Sequence, residues 1–209
     1  MYPRAMVSLA EMPVPEKAIS YDRFLETVGE DVRAEWVNGK IVFLTPPSTR
    51  HQLIVRFLIA NLSAFIETSD SGVLLPSPYQ MKLGPDLPGR EPDLLFVTKS
   101  NAARIQENRL VGPADLAVEI ISPESRARDR GEKFYEYEQG GVTEYWLIDP
   151  DREQAEFYRP DARGIYQLVQ LTDGVFESTV LPGLKLDTAW LWQDPLPPLL
   201  SILKIWKLV

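Results

Sequence analysis

The feature that most constrains this chain is a carboxylate inside an apolar run: Glu119 in Leu116-Ala117-Val118-Glu119-Ile120-Ile121. The run reads as a central strand of a sheet. Burying an ionised carboxylate there without a partner costs several kcal/mol, so the fold must supply a compensator. That compensator is either a bound cation or a structural salt bridge.

Composition narrows the choice of cation. The chain has 209 residues, no cysteine and one histidine, which excludes thiolate sites, disulfides and a histidine-rich zinc centre. A metal here must be held by oxygen, which suits magnesium or manganese. With 44% apolar and 25% charged residues, one domain with a real core is expected. No run of about 18 apolar residues occurs, and the N-terminus lacks the basic-then-apolar order of a signal peptide, so a cytoplasmic protein is the expectation. A net charge of −8 argues against nonspecific coating of nucleic acid. It leaves room for a local basic cleft, and Arg126, Arg128, Arg130 and Lys133 cluster within eight residues. The alternative is a solvated basic helix start.

The pattern predicts a lead-in over residues 1–19, a domain over 20–190 and an amphipathic tail over 191–209. Ser20 is placed to cap a short helix to about Val28. Asn38-Gly39 between two β-prone runs predicts a hairpin with a type I′ turn. From His51 to Glu67 apolar residues dominate a helix whose polar stripe is Gln52, Arg56, Ser63 and Glu67. Short strands broken at Pro76 and Pro78, the strand LLFV after Pro92-Asp93, a helix over Ala127–Gln139 ended by Gly140-Gly141, and the buried strand EYWLID follow. Residues 155–186 read as a C-terminal β-meander. The tail LLSILKIWKLV either docks a partner or membrane surface or covers its own domain, and the second is preferred.

Asp93, at the head of LLFV, offers a second carboxylate at a strand mouth, although a turn residue is the alternative. Carboxylates on adjacent strands can converge on one magnesium ion, whose shell substrate phosphate and water complete. Lys133 has Asp129 and Tyr137 four residues to either side, on one helical face. Its ammonium either acts on an attacking water and the phosphorane charge or is a solvated partner of Asp129. His51, at a helix start, either handles a proton or phosphate or bonds locally, the latter being preferred. Gln80 precedes the Pro-Asp strand and has a possible view of the site.

Together, the segments AEWVNGKIV, TPPSTRHQLIV, GREPDLLFV and LAVEIISPESRARDRGEKFYEYEQGGVTEYWLIDP resemble the Uma-two family within the PD-(D/E)xK nuclease superfamily, over about residues 20–187. The resemblance implies an α+β, restriction-endonuclease-like fold in which helices flank a mixed β-sheet. It also implies that Asp93 and Glu119 bind the metal, with Glu35 a further acid near the site. One departure stands out. The superfamily lysine normally follows the glutamate by two residues on the same strand face, and here that position is Ile121. The matching candidate is Lys133 on the following helix.

The leading expectation is therefore a magnesium- or manganese-dependent endonuclease acting on DNA, through Asp93, Glu119, Lys133 and Glu35. A homodimer is the expected way to cut two strands. A catalytically silent nucleic-acid or protein-binding module on the same fold is the alternative, and a two-carboxylate glycosidase a weaker one.

Overall fold

The computed structural model describes residues 18–28 and 32–209. Most of the expected lead-in, residues 1–17, lies outside the described residues. Its end is pinned: the Ile19 N–H donates to Gly39 O at 2.9 Å, and Trp36 Nε1 donates to Ile19 O at 2.9 Å. Helix α1 (Tyr21–Thr27) follows, with Ser20 accepting from the Arg23 N–H at 3.1 Å as its cap. Strands β1 (Ala34–Val37) and β2 (Lys40–Phe43) form the expected hairpin. Asn38 (φ 49) and Gly39 (φ 82) both take the left-handed conformation that a type I′ turn needs.

A smaller sheet runs β2-β1-β5-β4-β7, using β4 (Gln80–Lys82), β5 (Gly89–Arg90) and β7 (Arg109–Val111). The main sheet runs β11-β10-β9-β8-β6-β3. Its strands are β3 (Gly72–Pro76), β6 (Leu94–Thr98), β8 (Leu116–Ile120), β9 (Glu144–Asp149), β10 (Gln154–Pro160) and β11 (Tyr166–Leu168). Only β8 and β9 pair parallel there, because a helical crossover joins them. The architecture is α+β with mixed sheets flanked by helices, as expected.

Both faces of the main sheet are covered, which explains the unbroken apolar run of β8. Leu116, Val118 and Ile120 pack with Ile54, Leu58 and Leu62 of α2 (Thr49–Ser69). Each such fully buried side chain contributes about 1.5–3 kcal/mol. Ala117 and Ile121 face the other way, toward Tyr137 and Tyr145. Glu119 shares that second face by the alternation of a strand.

Three expectations need correction. The helix predicted over 127–139 is two, α3 (Arg126–Arg130) and α4 (Glu132–Gly140), broken at Gly131 with φ −115 and ψ −89. A Cβ on Gly131 would sit 2.7 Å from the Ala127 carbonyl, so glycine lets the chain turn tightly here. The Asp129 carbonyl accepts from Tyr145 Oη at 3.0 Å. The expected meander also divides. β10 and β11 extend the main sheet, whereas β12 (Val175–Glu177) and β13 (Lys185–Asp187) form a separate ribbon, held by Phe176 stacked on Phe157 at 3.9 Å. Finally, His51 bonds to a distant strand rather than locally.

The tail forms α5 (Leu199–Ile205), which packs on α2, with Trp206 edge-on to Phe65 at 5.6 Å. It covers its own domain. Among the described residues no helix is long and apolar enough to cross a membrane.

Candidate active site

The register of β6 and β8 pairs Leu94 with Val118, so one further step sets Asp93 opposite Glu119. Residues directly opposed in an antiparallel pair share a face and stand about 5 Å apart at Cβ. Asp93 Oδ2 accepts from the Ile120 N–H at 2.8 Å and lies 3.1 Å from His51 Nε2. Ser48 caps α2 by accepting from the His51 N–H, and this presents the imidazole to the strand mouth.

Lys133 enters from α4. Its Nζ lies 2.8 Å from Glu119 Oε1, 3.0 Å from Glu35 Oε1 and 3.4 Å from Asp129 Oδ1. The i,i+4 face read from the sequence is real, for Tyr137 Oη also donates to Glu119 Oε1 at 2.8 Å. Glu35, on β1, is held from behind by Arg90 Nη1 at 2.9 Å. Arg90, fully buried, also reaches Glu132 at 3.2 Å and Glu136 at 2.7 Å, tying the smaller sheet to α4.

Asp93, Glu119, Lys133, Asp129 and His51 line an open cleft of about 50 Å³ between the Leu44–Pro47 segment, the start of α2, the ends of β6 and β8, and α3. Asp93 Oδ1 and Glu119 Oε2 accept no hydrogen bond from the described residues. Both oxygens of Asp129 are buried without one as well.

Burial pushes the Glu119 carboxyl up to about 8, reinforced by the charges of Asp129, Asp93 and Glu35 and opposed by Lys133. Oε1 accepts from Lys133 and Tyr137, and Oε2 is the oxygen without a protein donor. Burial works against the Lys133 ammonium, but Glu119, Glu35 and Asp129 outweigh it and raise its pKa. Lys133 is therefore a fixed cation. Burial likewise opposes the Glu35 carboxylate, and Lys133, Arg90 and Arg128 together bring it down to about 2.

The structure thus brings Asp93, Glu119, Lys133 and Glu35 together, with His51 beside them. Gln80 stands one layer back, donating to Ala34 O at 2.7 Å and reaching Glu91 at 3.4 Å. Of the basic cluster only Arg128 and Lys133 line the cleft. Arg126 pairs with Asp149 at 3.1 Å and Asp151 at 3.4 Å, and Arg130 pairs with Glu156. Sequence reasoning missed Glu91 and Arg33, which meet at 2.9 Å on the cleft wall, and the buried Arg90. Glu91 stands two residues before Asp93 and Arg33 two before Glu35, a period-two signal that was there to read.

Among the described residues no three His, Asp or Glu side chains form a ready-made metal shell. Two opposed carboxylates with a free oxygen each still fit an ion of the magnesium type, which is commonly held by one or two carboxylates and completed by water and phosphate.

No curated protein matches the chain. Among solved structures, the crystal structure described as a putative nuclease belonging to DUF820 from Anabaena variabilis superposes with a TM-score of 0.71 at 20% identity, covering 83% of this chain and 97% of that one. The likeness establishes a shared fold. Residues 20–189 match the Uma2 family, described as "Putative restriction endonuclease", and the chain belongs to that family.

Proposed function

We propose that this protein is a magnesium- or manganese-dependent endonuclease that hydrolyses phosphodiester bonds of DNA in the Asp93–Glu119–Lys133 cleft. The observation that supports this reading is the pair Asp93 and Glu119 lining one cleft, each with an unused oxygen, beside a buried ammonium 2.8 Å from Glu119. Asp93 and Glu119 would hold the ion, which supplies Lewis-acid polarisation of the phosphate and a more acidic water.

The chain's own groups do the rest. Lys133, fixed by three carboxylates, adds positive charge at the wall where the pentavalent phosphorus develops negative charge. It does not act as a base, because its neighbours hold it protonated. Glu35 acts through Lys133 and does not line the cleft. His51 orients Asp93 through the 3.1 Å contact. Cutting a duplex on both strands requires two such sites, so a homodimer belongs to this reading, as does a cytoplasmic location where DNA is met.

The silent-module reading draws on one observation: Lys133 already supplies the acids with a cation from the protein itself. Titration calorimetry with manganese and cleavage of a plasmid in magnesium against EDTA separate the two. The endonuclease binds metal, more tightly with an oligonucleotide present, and nicks only with metal. Absent heats and an intact plasmid would sink it.

A further inference from the structure

Three arginines alternate along α3, and they are used differently. Arg126 and Arg130 are bonded to carboxylates of β9, the turn after it and β10. Arg128 makes no hydrogen bond to the described residues. Its Nε is buried and unpaired, 3.8 Å from Glu35 Oε2, and its side chain is 25% exposed on the cleft. Arg33, which also lines the cleft, spends only Nε, on Glu91 at 2.9 Å, with its side chain 30% exposed. The terminal nitrogens of both guanidiniums donate to no described residue, although the unbonded Asp129 oxygens lie on the same wall.

A planar guanidinium whose terminal nitrogens are free offers a two-pronged fork of N–H donors, which matches the oxygens of a phosphodiester better than an ammonium would. The rest of the chain repels such a ligand, with a net charge of −8. Attraction must then come from cations at the cleft itself. We propose that Arg33 and Arg128, both lining the cleft, clamp the phosphodiester backbone of nucleic acid beside the phosphate presented to Asp93 and Glu119. The clamp rests on the nuclease reading above.

The test is the salt dependence of binding to a labelled DNA duplex, by fluorescence anisotropy between about 50 and 200 mM salt with calcium replacing magnesium. The slope of log affinity against log salt should become shallower by about 0.9 for Arg128→Ala, by the same for Arg33→Ala, and by about twice that for the double variant. Arg128→Lys should recover the slope, because it keeps the charge. A merely structural arginine behaves otherwise: Arg126→Ala should lower the melting temperature and leave the slope alone. Should Arg33→Ala fail to fold because Glu91 is stranded, Arg33→Gln and the Arg128 variants carry the test. Equal slopes in all variants, or an Arg126→Ala slope as shallow as that of Arg128→Ala, overturn the clamp. Cleavage that persists while wild-type binding ignores salt overturns the clamp and spares the nuclease. Neither binding nor cleavage removes both.

Discussion

Glu119 and Glu144 are both buried, on neighbouring parallel strands of the main sheet, yet they are solvated in opposite ways. Glu144, the first residue of β9, fills both oxygens. Oε1 accepts from Arg159 Nε at 2.9 Å, the Thr179 N–H at 2.6 Å and Thr179 Oγ1 at 2.8 Å, while Oε2 accepts from Ser178 Oγ at 2.9 Å and Trp146 Nε1 at 3.2 Å. Glu119 fills only Oε1. Burial therefore does not distinguish a structural acid from a functional one. The difference lies in the unused oxygen, and under the nuclease reading proposed above that oxygen is the one that would meet the metal.

The largest effect should come from the cation beside Glu119. Lys133→Met, which keeps volume, should slow single-turnover cleavage by about two to four orders of magnitude. Ile121→Lys in that background should restore part of it, since Ile121 shares the face of Glu119. A rate within a few-fold of wild type would reduce Lys133 to a structural partner and erase the contrast with Arg159.

Next in size is the structural acid. Glu144→Ala strands Arg159 and several buried donors and should cost about 3–5 kcal/mol in chemical denaturation, with manganese affinity unchanged. Glu119→Gln should do the reverse, abolishing metal binding while melting near wild type in EDTA, because Lys133 retains Glu35 and Asp129. Equal destabilisation by both changes would make the two glutamates the same kind of residue.

A third expectation follows from the pKa of Glu119, about 8 in the fold against an ordinary 4.5. The folded value is raised, so stability from this group is full below pH 4.5 and is lost as pH climbs through 8. The metal-free protein should show this as a falling melting temperature between those values, absent in Glu119→Gln. Manganese must displace the same proton, so its affinity should drop about tenfold per pH unit below the midpoint. A flat calorimetric profile from pH 6 to 8, roughly, would contradict the assignment of Glu119 as a ligand.

The smallest effect belongs to Tyr137→Phe, which removes one of the two donors to Glu119 Oε1. It should cost about 1 kcal/mol and move the pH midpoint of metal binding upward, because the charged carboxylate loses a hydrogen bond. A downward shift would mean that Tyr137 does not favour the ionised form.

Much of this was legible in the chain. The apolar run Leu116–Ile121 put Glu119 inside a buried strand, the strand after Pro92 put Asp93 at a strand mouth, and four-residue spacing put Asp129, Lys133 and Tyr137 on one helical face. The hairpin at Asn38-Gly39 needed only local backbone chemistry. What failed was also local in form: Gly131 within a helical pattern is tolerated often enough that its break was not predicted, and the break follows from the close approach to Ala127 O.

The sequence by itself determined which residues share a face, because periodicity is a property of the backbone within one element. Only the tertiary structure decided who meets whom. Lys133 touches carboxylates from β1, β8 and α3, Arg33 meets Glu91 across 58 residues, and Arg128 rather than Arg126 or Arg130 turns to the cleft. An ion pair depends on distance through space and on the water excluded around it, and both are set when the two sheets and α4 close over one another.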